Sequence, residues 1–234
     1  MKLYCLPYAG CSARVFNSWQ ALLPDSVDVI PLELPGRGVR CIEEPISELS
    51  ALLDDLIELT ADAWSTPYAI FGHSYGAVIA FEVARLMSAR GFPAPLALIV
   101  SACRAPGLLE GGEVIHTLSD DEFRDRLAVL RGTPRELLED DELMELYIPI
   151  IRADYKILDE YRLDDARRLD CPITAFCGSN DRDADLASME AWSKYTTQAF
   201  DIAHVNGDHF FLHSSERDVV AQVALVCKRV GGIN

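Results

Sequence analysis

Short apolar runs alternate along the chain with longer segments in which apolar residues recur every three or four positions. The apolar runs are candidate strands, and they lie at residues 3–6, 27–32, 68–72, 96–101, 173–177 and 199–205. Most of them are continuously apolar, which is typical of strands buried on both faces. The periodic segments predict helices at residues 47–64, 77–90, 186–195 and 214–230, and Gly91 and Gly231 follow two of them. This alternation predicts an α/β fold with a mostly parallel sheet flanked by helices.

The segment from residue 118 to residue 162 is different, because it has a helical pattern throughout and no strand pattern. Ser119 with Glu122 and Thr133 with Glu136 fit the capping box, so each pair predicts the start of a helix. A last helix is expected at residues 141–162. The leucines and isoleucines of this segment cover more than one narrow stripe, so part of its surface is expected to face something other than the main core. We interpret residues 1–234 as one domain with a helical insertion.

Composition narrows the possible functions. The chain has 21 Lys and Arg against 37 Asp and Glu, a formal net charge of −16, which disfavours nucleic acid as a partner. Half of the residues are hydrophobic, so a globular core is expected rather than disorder. No apolar run is long enough for a membrane helix, and Pro7 and Gly10 interrupt the first run too early for a signal peptide. These features predict a cytoplasmic protein that does not bind membranes.

The cysteines indicate the same compartment. There are seven of them, an odd number, and they are scattered without any Cys-x-x-Cys pair. This usage is typical of reduced thiols and disfavours a disulfide framework or a zinc site.

The most specific motif is Gly72-His73-Ser74-Tyr75-Gly76, which follows one predicted strand and opens a predicted helix. A nucleophile elbow requires this strand, turn and helix context. It would expose the Ser74 hydroxyl at the carboxyl end of the strand, close to a helix N-terminus. The simpler interpretation is a tight turn with a capping serine.

A serine becomes a good nucleophile only when a base removes its proton, so a histidine is required. Of five histidines, His209 is the best placed, because it follows the last predicted strand on a glycine-containing loop. The other four are interpreted as a packed or hydrogen-bonded His73, a surface His116, a strand residue His204 and a packed His213 within the final helix. A metal site formed by His204, His209 and His213 is disfavoured, since no typical ligand pattern accompanies them.

The acid that orients the histidine is sought after the fifth predicted strand, where Asp181, Asp183 and Asp185 occur. Asp181 is nearest to the strand end and is the preferred partner, while the other two aspartates are interpreted as caps of the next helix. The order Ser74, Asp181, His209 is the chain order of α/β-hydrolases. The backbone N–H of Tyr75 and that of Ala9, on the loop after the first strand, are the expected oxyanion donors.

With these motifs the sequence resembles the type II (external editing) thioesterases of nonribosomal peptide and polyketide synthesis. The matching residues extend in order over nearly the whole chain. They are Leu6-Pro7-Tyr8-Ala9-Gly10, Trp19, Leu34-Pro35-Gly36-Arg37-Gly38, Gly72-His73-Ser74-Tyr75-Gly76-Ala77, Leu118-Ser119-Asp120-Asp121-Glu122-Phe123, Gly132-Thr133-Pro134, Arg152-Ala153-Asp154-Tyr155, Cys171-Pro172-Ile173, Gly178-Ser179-Asn180-Asp181, Ala191-Trp192 and Gly207-Asp208-His209-Phe210-Phe211-Leu212.

The resemblance implies an α/β-hydrolase fold with a helical lid at about residues 115–165. It also implies a serine thioesterase that hydrolyses acyl groups from the phosphopantetheine arm of acyl or peptidyl carrier domains, for editing or for product release. The serine mechanism needs no metal or redox cofactor, and we expect a monomer. Two departures from the family pattern are a cysteine, Cys11, in place of a second glycine and a tyrosine, Tyr75, where methionine is common.

Two alternatives stay open at this point. One is a carboxylesterase or lipase that uses the same three side chains. The other is a catalytically silent hydrolase fold that serves as a binding partner in a synthase. If carrier domains are acidic, docking would rely on local basic or apolar patches, for which Arg124, Arg126, Arg131 and Arg152 are candidates.

Overall fold

One parallel sheet forms the centre of the molecule. The computed structural model describes residues 1–60, 66–130, 132–133, 135–164 and 168–232. Six strands pair in parallel in the order β2-β1-β3-β4-β5-β6. They are β1 Lys2–Leu6, β2 Asp28–Pro31, β3 Tyr68–His73, β4 Ala97–Ser101, β5 Ile173–Gly178 and β6 Phe200–Val205. Every apolar run predicted as a strand is therefore confirmed, and no strand end is displaced by more than one residue.

Helices fill most of the connections between these strands. They are α1 Trp19–Leu22, α2 Leu49–Leu59, α3 Tyr75–Ala89, α4 Asp120–Leu130, α5 Arg135–Leu138, α6 Asp141–Glu160, α7 Leu186–Glu190, α8 Phe211–Ser214 and α9 Glu216–Gly231. Short 3-10 helices occur at Ala13–Phe16, Gly38–Arg40, Pro106–Leu108 and Ala191–Tyr195.

Some helix ends differ from the sequence predictions. Helix α3 begins at Tyr75, because the chain passes directly from the turn at Ser74 into the helix. Helix α2 ends at Leu59, and residues 61–65 of the predicted 47–64 helix lie outside the described residues. Gly232, and not Gly231, takes the left-handed conformation after α9, with φ of 60°.

Two predicted helices are each divided in two. The 186–195 segment changes from α7 to a 3-10 helix at Ala191, and the Trp192 indole within it is buried and donates its N–H to the Cys103 carbonyl at 2.7 Å. The final helix is interrupted at Ser215, whose hydroxyl donates to the Asn206 carbonyl at 2.5 Å. His213 therefore lies in the short α8, which corrects its predicted position inside the final helix.

The two faces of the sheet bury separate apolar layers. Along β1, Tyr4 and Leu6 pack with α2 and α3, whereas Leu3 and Cys5 pack with α1 and α9. This alternation follows from the two-residue period of a strand. Since both faces are covered, the inner strands are almost entirely buried, which explains their continuously apolar sequences.

The segment between β4 and β5 contains the three helices α4, α5 and α6, as its sequence predicts. Ser119 and Glu122 form the capping box: the Glu122 carboxylate accepts the Ser119 N–H at 3.1 Å, and the Ser119 hydroxyl accepts the Glu122 N–H at 3.4 Å. The second predicted box includes Pro134, which lies outside the described residues. These helices share a small apolar cluster of their own, formed by Ile115, Phe123, Leu127, Met144, Ile148 and Ile151.

None of the helices in the described part of the chain has both the length and the hydrophobicity needed to cross a bilayer.

Candidate active site

Four loops that carry the predicted chemical groups meet at one edge of the sheet. Ser74 follows β3, Asp181 follows β5, His209 follows β6, and the loop with Ala9 follows β1. All of these strands are parallel, so their carboxyl ends lie on the same side, where ligands of α/β proteins commonly bind.

The turn at Ser74 is a sharp one. Ser74 has φ of 54° and ψ of −118°, a region that non-glycine residues rarely occupy. Both flanking glycines are required sterically. A Cβ on Gly72 would lie 2.2 Å from the Gly76 carbonyl oxygen, and one on Gly76 would lie 2.3 Å from the Leu6 carbonyl oxygen. The backbone strain and close packing of a nucleophile elbow are thus both present.

The three predicted side chains form one hydrogen-bonded chain. His209 Nε2 lies 3.0 Å from Ser74 Oγ, and His209 Nδ1 lies 3.0 Å from Asp181 Oδ2. A carboxylate can only accept, so neutral His209 carries its proton on Nδ1 and donates to Asp181. Its Nε2 is then free to accept the Ser74 hydroxyl proton, as general base catalysis requires.

Asp181 is fixed by more than the histidine. Its other oxygen, Oδ1, accepts the backbone N–H groups of Asp183 and Ala184 at 2.9 and 3.0 Å. Burial alone would raise the pKa of Asp181, but the hydrogen bond and charge of His209, together with these two N–H groups, hold it below its ordinary value. The carboxylate therefore stays ionised beside the imidazole.

The neighbouring aspartates have different surroundings. Asp185 caps α7 by accepting the Ser188 N–H at 2.9 Å, as predicted. Asp183 is exposed, and one of its oxygens lies within 4.8 Å of ligand atoms of Asp181 and His209. This places Asp183 near the imidazole rather than at the helix cap that we predicted for it.

His73 supports the site from behind the elbow. It is fully buried, with Nδ1 2.8 Å from the Ser101 hydroxyl and Nε2 2.9 Å from the His209 carbonyl oxygen. Burial, reinforced by the charge of His209, lowers the pKa of His73 to about 3. The ring is neutral and donates from Nε2, so it fixes the backbone of the residue that carries the base.

His204 and His213 belong to no cluster of three metal-ligating side chains among the described residues. His213 Nε2 lies 2.9 Å from the Tyr8 hydroxyl, and His204 is exposed on the edge strand β6. His116 is less exposed than a surface interpretation predicts, because its ring and its backbone N–H both bind the Asp159 carboxylate.

Two backbone donors lie unused beside the serine. Among the described residues, neither the Ala9 N–H nor the Tyr75 N–H has a hydrogen-bond acceptor in the protein. Both residues line the same cavity as Ser74 and His209. The Tyr75 N–H is also the first one of α3, where the helix dipole favours negative charge.

That cavity, of about 300 Å³, extends from Ser74 and His209 under the inserted helices. Its far walls are mostly apolar and come from the 3-10 helix after β4, from α4 and from α6. The apolar residues on these walls are Leu108, Leu109, Leu127, Leu130, Ile151 and Leu158. A hydrocarbon group attached to a carbonyl at Ser74 would be removed from water there.

A pair of buried charges that sequence reasoning did not assign lies next to this cavity. Arg37 and Asp154 form a bidentate ion pair, with distances of 2.5 and 2.9 Å. Both side chains are almost fully buried, and Asp154 Oδ2 also accepts the Gly10 N–H at 2.7 Å. Both residues fall in segments that matched the family pattern, and this was the only signal in the sequence that could have pointed to them.

Comparison with known proteins yields relatives that span most of the chain. The family model described as "Thioesterase domain" matches residues 1–228. A curated relative from Brevibacillus parabrevis, named linear gramicidin dehydrogenase LgrE, is 38% identical and covers 94% of this chain and 84% of its own. The word dehydrogenase in that name does not fit this chain, whose matched family is a thioesterase family and whose site contains a serine, a histidine and an aspartate.

Two solved structures are similar over nearly their full lengths. RedJ, a thioesterase of the prodiginine pathway in Streptomyces coelicolor, is 37% identical with a TM-score of 0.89, and the match covers 97% of this chain and 90% of RedJ. ClbQ, from the colibactin NRPS/PKS pathway, is 33% identical with a TM-score of 0.93 and covers 100% and 99% of the two chains. With the family match and the parallel sheet, these similarities establish that the chain belongs to the thioesterase family of the α/β-hydrolase fold.

Proposed function

We propose that this thioesterase hydrolyses acyl groups from the phosphopantetheine arm of carrier domains in a nonribosomal peptide or polyketide pathway. In this proposal Ser74 is the nucleophile, His209 the general base and acid, and Asp181 the group that orients His209. The backbone N–H groups of Ala9 and Tyr75 form the oxyanion hole.

The reaction proceeds through an ester of Ser74. Ser74 Oγ attacks the thioester carbonyl carbon while its proton moves to His209 Nε2, and the oxyanion binds the Ala9 and Tyr75 N–H groups. Collapse of this intermediate breaks the C–S bond, and His209 protonates the departing pantetheine thiolate. His209 then takes a proton from water, which attacks the ester and releases the carboxylic acid and Ser74. The ionised Asp181 stabilises the imidazolium in both steps.

The observation that carries the proposal is the unbroken hydrogen-bonded chain from Ser74 through His209 to Asp181 at the mouth of a mostly apolar cavity. A catalytically silent fold would have no need for this alignment. Thioester specificity rests on the family, since an oxygen ester would fit the same three side chains.

The carrier partner is supported by the pathways in which relatives act. ClbQ is described as part of an NRPS/PKS pathway, and RedJ as part of the prodiginine pathway. The family that the sequence resembles acts on phosphopantetheine thioesters. We also propose that the enzyme acts as a monomer, since one chain supplies every group of the site. We place it in the cytoplasm in this proposal, since all seven cysteines are free thiols.

A substrate panel tests the proposal. One acyl group is presented on a carrier domain, on pantetheine, on coenzyme A and as an oxygen ester, and single-turnover hydrolysis is measured for each. We expect the carrier and pantetheine thioesters to react fastest. Ser74→Ala should fold normally, lose labelling by a covalent serine probe and lose a factor of about a thousand or more in turnover. A preference for oxygen esters would favour the carboxylesterase alternative, and near-normal turnover in Ser74→Ala would exclude this mechanism.

A further inference from the structure

The loop that carries Ala9 is a tight turn with a specific peptide orientation. The Cys11 N–H donates to the Tyr8 carbonyl at 3.0 Å, so residues 8–11 form a β-turn with Ala9 and Gly10 at its centre. Gly10 has φ of 74°, which is the value that a type II turn requires at its third residue. A type I turn would rotate the central peptide by roughly half a revolution.

Helix α6 contacts this turn at two positions one helical turn apart. Asp154 accepts the Gly10 N–H at 2.7 Å, and a Cβ on Gly10 would lie 2.7 Å from Ile151 Cγ1. In the alternative type I turn, the Ala9 carbonyl would point toward the Asp154 carboxylate, where two acceptors repel each other. The buried carboxylate therefore favours the observed orientation of the central Ala9–Gly10 peptide, which adjoins the peptide that carries the Ala9 N–H.

Asp154 is itself held by Arg37, which the Leu34-Pro35-Gly36-Arg37-Gly38 segment carries into the interior. The guanidinium contacts both carboxylate oxygens, and this compensates for the burial of the two charges. Behind the turn a second carboxylate, Glu33, accepts the Ser12 hydroxyl and the Ala13 N–H, each at 2.8 Å. Asp154 thus holds the turn itself and Glu33 holds the two residues that follow it, and of these two carboxylates only Asp154 comes from the inserted helices.

We propose that Asp154 is a positioning residue of the oxyanion hole: its carboxylate, held by Arg37, anchors the peptide between Ala9 and Gly10 and thereby restrains the position of Ala9, whose own N–H belongs to the preceding peptide and binds the developing oxyanion. The inference rests on the proposed function, in which Ala9 is an oxyanion donor. It means that the oxyanion hole is complete only while α6 is docked against the loop after β1. Loss of an oxyanion donor typically costs a factor of about 100 to 1,000 in kcat, and misplacing one costs less.

Asp154→Ala tests the proposal, with Tyr161→Phe as its matched control. Tyr161 follows the end of the same helix, and its buried hydroxyl donates to Glu82 at 2.6 Å without touching the turn. For Asp154→Ala we expect kcat to fall by a factor of about 10 to 100 with little change in KM. Affinity for an acyl trifluoromethyl ketone, whose adduct with Ser74 carries an oxyanion, should fall in parallel. Tyr161→Phe should keep both values within about twofold of the wild type.

A second pair of variants separates positioning from simple loss of structure. Asp154→Asn keeps the side-chain volume and one acceptor, so it should fold and lose less kcat than the alanine variant. If Arg37 acts only through Asp154, Arg37→Met should reduce kcat in the wild type but add little in the Asp154→Ala background. Unchanged kcat and ketone affinity in both Asp154 variants, or a loss confined to KM, would overturn the proposal. A wild-type enzyme without Ser74-dependent turnover would instead overturn the proposed function.

Discussion

At the scale of single residues, the site depends on Ser74 occupying an uncommon backbone conformation. A non-glycine residue at φ of 54° and ψ of −118° costs on the order of 1–3 kcal/mol, which its surroundings must offset. The Ser74 N–H donates to the Ser101 carbonyl at 2.8 Å, and His73 binds the Ser101 hydroxyl at the same distance. Ser101, the last residue of β4, thus stabilises the elbow by hydrogen bonds to both Ser74 and His73.

The three aspartates after β5 should separate clearly by mutation. Asp181→Asn should reduce kcat by a factor of about a thousand or more, because an amide no longer selects the His209 tautomer with the proton on Nδ1. Asp183→Asn should change kcat by less than about threefold. Asp185→Asn keeps a side-chain oxygen at the cap of α7, so it should change neither kcat nor stability appreciably. Steady-state kinetics on a pantetheine thioester measure all three variants. A loss of kcat in Asp183→Asn as large as that expected for Asp181→Asn would show that Asp183, and not Asp181, orients His209.

His73 makes a prediction about stability at low pH. Its pKa is about 3 in the folded protein and about 6.5 in the unfolded chain, so between these values only the unfolded chain takes up the proton. Stability should therefore fall as pH decreases through this window, by up to about 1.4 kcal/mol per pH unit from this residue. In His73→Gln that contribution is absent. The free energy of unfolding, measured with urea at several pH values between 6.5 and 4, should therefore decrease less steeply with falling pH than in the wild type. The same dependence of unfolding free energy on pH in both proteins would contradict a buried neutral His73.

At the scale of elements, three features of α4 to α6 favour a mobile lid over a rigid cap. Their own apolar cluster is small, and Val129, Leu143 and Leu146 on these helices are exposed. Pro149 lies inside α6, where it removes one helical hydrogen bond. The same helices supply the far walls of the cavity, so substrate binding adds contacts that the free protein lacks.

We therefore predict that α4 and α6 act as a mobile lid. Their amides should exchange with deuterium faster than those of α3, which is buried along most of its length. A non-hydrolysable acyl-pantetheine should slow exchange in α4 and α6 and leave α3 unchanged. Hydrogen exchange measured by mass spectrometry, with and without this ligand, tests the prediction. Strong protection of both helices that does not respond to the ligand would indicate a rigid cap instead.

The same scale shows what the sequence could and could not predict. The strands and the long helices were predictable because the apolar residues that each of them buries recur with the period of that element. The convergence of Ser74, Asp181 and His209 was predictable because each follows a strand of one parallel sheet. The four-residue α1 is too short to show a period. The break at Ala191 and the contact between Arg37 and Asp154 depend on partners distant in the chain, which no local pattern encodes.

At the scale of the whole molecule, the net charge bears on how the proposed carrier domain would approach. The chain has a formal charge of −16, and three of the four arginines considered for docking form ion pairs within the protein. Arg124 pairs with Asp141, Arg126 with Glu113 and Arg152 with Asp120, while Arg131 lies outside the described residues. An acidic carrier is therefore repelled at long range.

This repulsion predicts an unusual salt dependence. Raising the ionic strength from about 0.01 M to about 0.1 M shortens the screening length from roughly 30 Å to roughly 10 Å. We expect kcat/KM for an acyl group on an acidic carrier to rise several-fold over this range. The same acyl group on uncharged N-acetylcysteamine is the control, and its kcat/KM should stay constant. A decrease of kcat/KM with salt for the carrier would indicate an attractive basic docking patch.

The ion pair between Arg37 and Asp154 also has a consequence for recombining members of this family. Its partners are 117 positions apart, on opposite sides of the nucleophile in the sequence. An exchange of residues 118–162 between two relatives would transfer Asp154 and leave position 37 with the recipient. A recipient without an arginine at position 37 would bury the Asp154 carboxylate, without its partner, against the loop after β1. Chimeras made to alter acyl selectivity should therefore transfer the loop around residue 37 and the inserted helices as one unit.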